Sequence, residues 1–126
     1  MKTKSIVLFL MALLIVIAAC SPSSSEPNNQ QKTFAFEVTD AEGNMTSHVI
    51  NTSEATVGAA LLEAGLIEGE DSDFGLMVIY VDGIRADFAE DGAYWAFHID
   101  GEFAMAGVDS TNIEEGVTYA FVYTPA

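Results

Sequence analysis

Two short runs constrain this chain's fold more than any other feature. Leu76-Met-Val-Ile-Tyr-Val81 and Ile84-Arg-Ala-Asp-Phe88 flank Asp82-Gly83. Tyr94-Trp-Ala-Phe-His-Ile99 and Glu102-Phe-Ala-Met105 flank Asp100-Gly101. Asp-Gly between alternating segments predicts a two-residue type I′ hairpin, because both turn residues need positive φ. So tight a turn sets the register. In the first hairpin it faces Val81 with Ile84, Ile79 with Ala86 and Met77 with Phe88, a core side, and leaves Val78, Tyr80, Arg85 and Asp87 on the other. The second hairpin carries aromatics on both sides. Trp95, Phe97 and Ile99 go with Glu102 and Ala104, and Tyr94, Ala96 and His98 go with Phe103 and Met105. Either this pair is central and covered twice, or one side is a ligand or partner surface.

The rest of the pattern supplies the other elements. Phe34, Phe36 and Val38 alternate with Thr33, Ala35 and Glu37, a half-buried strand. Ala41-Glu42-Gly43-Asn44 reads as a turn, and Met45 to Ile50 as the returning strand. Thr56 to Gly65 is the one good helix, with Thr56 as N-cap, Gly65 in the left-handed position after the end, and Leu66 closing over Leu61. Gly58 in the first turn costs about 1 kcal/mol of helix propensity, which close packing would explain. Glu68 to Asp73 reads as a solvated acidic loop, and Val117 to Tyr123 as the last strand. The expected fold class is α+β: a β-grasp-like mixed sheet of hairpins packed on one helix.

Three segments organise the chain. Residues 1–19 read as a lipoprotein signal peptide. Lys2 and Lys4 precede an uncharged apolar stretch, Ile6 to Ala19, too short for a membrane span. Ile17-Ala18-Ala19-Cys20 resembles the bacterial lipobox, which makes Cys20 the lipidation site; two acyl chains then give stable anchoring. Residues 20–32 form a Ser-, Pro-, Asn- and Gln-rich tether. Residues 33–126 form one domain. After residue 19 two basic residues stand against 19 acidic ones, a net charge of −17. That excludes nucleic acid as a partner, whose phosphates need clustered Lys and Arg. It also excludes electrostatic adhesion to anionic lipid. Cys20 is the only cysteine, so the exported domain has no disulfide and stands on its core.

Catalytic constellations are missing. His48 and His98 are the only histidines, and neither has a second ligand set at zinc spacing. Asp71 and Asp73 fail the EF-hand pattern, with Gly75 and Leu76 at the following positions. No nucleophile elbow, phosphate loop or dinucleotide fingerprint occurs. The expectation is a protein that is not an enzyme, with no metal and no required cofactor.

A resemblance carries the reading further. Thr56-Val-Gly-Ala-Ala-Leu-Leu-Glu-Ala-Gly-Leu66, Tyr80-Val-Asp-Gly-Ile84, Tyr94-Trp-Ala-Phe-His-Ile-Asp-Gly-Glu102, Gly107-Val-Asp-Ser110 and Gly116-Val-Thr-Tyr119 follow one another. Together they resemble the bacterial domain family similar to the transcobalamin and intrinsic factor C-terminal domain, over about Thr33 to Thr124. The resemblance implies a β-grasp-type domain that binds a small ligand, with cobalamin or another corrinoid as the ligand class, and bacterial relatives that are lipoproteins or cell-surface proteins. The large helical domain of the vertebrate carriers is absent, so half of an enclosing site would be missing, and their cobalt-coordinating His has no counterpart in His98. The expectation is a lipid-anchored, extracytoplasmic module on the outer face of the bacterial cytoplasmic membrane, serving an uptake system. Its partners would be the membrane, a small molecule and a transporter or surface protein. The expected contact residues are Tyr80, Tyr94, Trp95, His98 and Phe103, whose aromatic faces suit a flat ligand. The alternative is a surface interaction or structural domain with no small ligand.

Overall fold

The computed structural model describes residues 30–126. The expected signal peptide, the lipidation site Cys20 and most of the tether lie outside the described residues. Among the described residues there are eight strands: β1 (Lys32–Thr39), β2 (Met45–Thr52), β3 (Ile67–Ser72), β4 (Gly75–Val81), β5 (Ile84–Arg85), β6 (Ala93–Ile99), β7 (Glu102–Phe103) and β8 (Thr118–Pro125). The described residues also form the helices α1 (Val57–Glu63) and α2 (Phe88–Asp91) and a 3-10 turn (Val108–Ser110). The fold is α+β, but its strands divide between two sheets. One has five strands in the order β2-β1-β8-β6-β7, and the other has three in the order β3-β4-β5. The sequence leaves open whether the hairpins share one sheet; the structure divides them, and the first Asp-Gly hairpin pairs with β3 outside the main sheet.

Both Asp-Gly turns form as the pattern dictates, with φ of 51° and 79° at Asp82 and Gly83 and 49° and 82° at Asp100 and Gly101. Val81 faces Ile84, and Ala86 N–H reaches Ile79 O at 2.8 Å, so the first register holds to that point. It then ends. Asp87 caps α2, its carboxylate accepting from the Ala89 and Glu90 N–H groups, and Phe88 turns outward rather than facing Met77. Asp87-Phe-Ala-Glu90 has the spacing of a capping box, which competes with strand continuation. Residues 67–72 correct the reading of an acidic loop. They form an outer strand with only Ile67 buried, so no apolar alternation marks them, and pairing with β4 alone holds them extended.

The main core lies on one face of the five-stranded sheet. The antiparallel β6–β8 register aligns Trp95 with Tyr123, Phe97 with Phe121 and Ile99 with Tyr119, and the parallel β1–β8 register adds Phe36 and Val38 to that face. Phe97 lies 5.2 Å from Phe121, and Phe34 meets Tyr119 edge-on at 5.2 Å. Buried Tyr119 also uses its hydroxyl, which accepts from Glu114 N–H and donates to Asn112 O. Helix α1 covers this face with Val57, Ala60 and Leu61. Its ends follow the sequence. Thr56 accepts from Ala59 N–H, Gly65 adopts φ 72°, and Leu66 N–H bonds Leu61 O while Gly65 N–H bonds Leu62 O, a Schellman end.

Gly58 has a packing role. A Cβ there would lie 2.8 Å from the Asp109 Cα of the 3-10 turn. Alanine is intrinsically better than glycine in a helix by about 1 kcal/mol. Here Gly58→Ala is expected to destabilise by about 1–3 kcal/mol instead, through overpacking against backbone. Urea denaturation of the two proteins checks the sign.

Candidate functional site

The two sheets meet where β4 crosses the open edge of β6. Strand β7 covers only the far end of β6, through the His98–Phe103 and Ile99–Glu102 pairs and one further bond, Ala104 N–H to Phe97 O. Beyond that the edge of β6 has no strand neighbour among the described residues. The joint is made by side chains. Trp95, 6 % exposed, sends its indole N–H to two carbonyls of the small sheet, Ile79 O at 3.1 Å and Ile84 O at 3.2 Å. At the other end of β4, Asp109 Oδ2 accepts from Leu76 N–H at 3.1 Å, while Oδ1 is buried without a hydrogen-bond partner. A Cβ on Gly75 or Gly107 would meet that oxygen at 2.9 Å, and Gly75 also holds φ 100°, so a side chain at either position would shift the carboxylate.

Between these fastenings a cleft of about 700 Å³ remains. One wall is β4 from Leu76 to Ile79, with Phe88 and Ala89 of α2 beside it. The other is β6 from Tyr94 to Phe97, continued by Phe103, Ala104 and the Ala106–Val108 segment. Phe97 and Phe121 of the core form part of the lining. The volume falls in the range of small-molecule sites. Two carboxylates reach the lining, Glu70 and Asp87, and Asp87 is occupied in capping α2. Exposed apolar side chains extend the rim: Met77, Phe88 and Phe103 are each more than half exposed, and Met105 is 97 % exposed.

Three of the five residues expected at a site come together here. Tyr94, Trp95 and Phe103 line the cleft. Trp95 contributes ring surface only, because its N–H is committed to the joint. Tyr80 pairs with Arg85 of β5, is exposed and does not line the cleft. His98 is half-buried on β6 with its ring 6.0 Å from Phe103, also outside the lining. The core side of the second hairpin is therefore the Trp95 side, and the side bearing Tyr94, His98 and Phe103 is the more open one. Leu76, Met77, Phe88, Ala104 and Val108 enter the lining without having been singled out. Only Phe88 left a usable trace, the Asp87–Glu90 capping spacing that ends the strand before it.

Helix α2 is held at the rim by an ion pair. Arg85 Nε and Nη2 bond the two Asp91 oxygens at 3.0 and 2.8 Å, and Asp87 N–H adds a third bond to Asp91. Glu90 lies 3.1 Å from Arg85 Nη1. The Arg85 guanidinium, with the Asp87 N–H, holds the Asp91 carboxyl below its ordinary value of 3.8. The clamp is therefore complete above that value and is lost as the pH falls through the lower value of the folded state. Among the described residues no three His, Cys, Asp or Glu side chains converge to hold a metal ion.

An α+β domain with an aromatic cleft between its two sheets is the class this geometry defines. The chain belongs to the DUF4430 family, a domain of unknown function, whose model matches residues 54–124. No curated protein matches the chain. The fold recurs among solved structures, of which two illustrate it. A protein of Ruminococcus gnavus ATCC 29149, described as a candidate metal-binding protein, has 21 % identity and a TM-score of 0.71, over 75 % of this chain and 98 % of that one. Haptocorrin in complex with Cbi has 15 % identity and a TM-score of 0.65, over 84 % of this chain but only 28 % of haptocorrin. The resemblance to the transcobalamin-type domain thus holds as a relation of fold.

Asp91→Asn is expected to free α2 at neutral pH. In an NMR titration the native Asp87 amide should report Asp91 protonation with a midpoint below 3.8. In the variant that titration should vanish, and the Ala89 and Glu90 amides should exchange faster with solvent.

Proposed function

We propose that this domain is a small-ligand-binding module whose inter-sheet cleft takes a flat, largely apolar ligand of the corrinoid class. The observation that carries the reading is the cleft itself: about 700 Å³, aromatic on both walls, with one uncommitted carboxylate, Glu70, on its lining. Haptocorrin, which shares the fold, binds Cbi, a cobinamide, and this supports the ligand class. A corrin ring is broad, so it would enter by one edge and leave the rest outside the cleft. The architecture is read as a β-grasp variant in which α1 packs on the five-stranded sheet. The lipobox Ile17-Ala18-Ala19-Cys20 supports an anchor on the outer face of the cytoplasmic membrane. There the module would pass its ligand to a transporter or surface protein. It would bind rather than transform the ligand, since no nucleophile–base pair stands on the cleft wall.

A second reading, protein docking without a small ligand, draws on one observation: the apolar rim of Met77, Phe88, Phe103 and Met105 extends beyond the cleft. Trp95, the sole tryptophan, separates the two readings. Titration with cobinamide and cobalamin should quench its emission saturably at micromolar concentrations. Phe103→Ala should weaken binding roughly tenfold, a loss of about 1.4 kcal/mol. No saturable quenching at tens of micromolar would set the corrinoid reading aside in favour of docking.

A further inference from the structure

The five-stranded sheet has two unequal edges. Strand β7, at one edge, has two residues, whereas β2, at the other, has eight. The β1–β2 register runs unbroken from Lys32↔Thr52 to Thr39↔Met45, with no bulge to twist the edge away. Natural sheets guard long edges with charge, proline or bulges. Strand β2, Met-Thr-Ser-His-Val-Ile-Asn-Thr, has no proline and no Asp, Glu, Lys or Arg, in a chain with 19 acidic residues. Its outward side chains are bare: Val49 is 73 % exposed and Met45 62 %.

The register also says which backbone groups are free. Asp40 N–H bonds Asn44 O across the turn, so the even-numbered residues of β2 direct their N–H and C=O groups to β1. Met45, Ser47, Val49 and Asn51 direct theirs outward.

We propose that β2 is a self-pairing edge, joining a second copy of this chain as an antiparallel strand about a two-fold axis through His48. This register sets Met45 opposite Asn51 and Ser47 opposite Val49, and the two-fold repeats both. All four outward residues of each copy then fall in hydrogen-bonded pairs, and no other symmetric register uses all four. A two-fold contact needs a patch that complements itself, which this strip provides. Charge also selects it. Two strongly acidic chains repel over most of their surface, and β2 is an extended neutral strip on which they can approach. Glu37, opposite Ser47 on β1, and Asp82, 3.3 Å from His48 Nε2, are the carboxylates that face it.

The axis places His48 against its own copy as a non-hydrogen-bonded pair, whose Cα atoms stand about 4.5 Å apart. That separation suits a disulfide. The full chain carrying His48→Cys, oxidised in membranes and run on a non-reducing gel, should give a covalent dimer well above the unsubstituted chain, which controls for Cys20. Thr46→Cys should not, because the two copies of that position lie about 14 Å apart in this register. Adding Val49→Lys to His48→Cys should cut the cross-link at least tenfold. A folded His48→Cys chain that gives no dimer overturns the proposal, as does equal cross-linking by Thr46→Cys or in the presence of Val49→Lys. If His48→Cys does not fold, sedimentation of the native full chain and of Val49→Lys in detergent replaces it. A dimer that becomes a monomer supports the edge, and a native monomer overturns it.

Discussion

The two sheets are joined by few polar contacts, and the indole N–H of Trp95 is the central one. It serves two carbonyls at once, Ile79 O and Ile84 O, which belong to the two strands of one hairpin. Each such bond is worth about 1 kcal/mol net; Ile79 O also accepts from Ala86 N–H, so there the indole adds a second donor to a carbonyl already in the hairpin ladder. The Asp109 carboxylate performs the matching task at the start of β4. Between these points β4 and β6 approach without pairing, and the cleft is the space left over. It exists because β4 is fastened to β6 through Trp95 and to the 3-10 turn through Asp109, with no strand pairing between those points.

This arrangement also explains the glycines around Asp109. Gly58, Gly75 and Gly107 crowd the same aspartate from the helix, the small sheet and the loop after β7. A side chain at Gly58 would meet the Asp109 backbone, and one at Gly75 or Gly107 would displace the carboxylate that bonds Leu76 N–H. The Gly107-Val-Asp-Ser110 run, first notable as a family resemblance, is therefore a fastening with a physical task.

Local features were readable from sequence, and the partition between sheets was not. The Asp-Gly turns, the Thr56 cap and the Gly65 end depend on single residues with special backbone needs, and each formed as read. Strand β3 was missed because its extended form depends on β4, not on its own apolar content. Hairpin register specified which side of β6 carries Trp95, but not that β4 would cross its edge. The cleft was accordingly half legible. Tyr94, Trp95 and Phe103 belong to one hairpin with aromatics on both sides, while Met77 and Phe88 arrive from a different sheet. Tyr80 and His98 looked equivalent in sequence because alternation gives a side and says nothing of what lies opposite.

The parallel pairing of β1 with β8 has a mechanical consequence. The two strands are neighbours at the centre of the main sheet, running in the same direction from Ala35↔Thr118 to Thr39↔Val122. Lys32, at the start of β1, and Pro125, at the end of β8, therefore lie toward opposite ends of the paired segment. Tension applied between those points acts along the strands, so the bonds joining them are loaded together in shear rather than opened one after another. A hairpin pulled at its two free ends would unzip. This domain instead presents its central ladder as a clamp against traction between those two points.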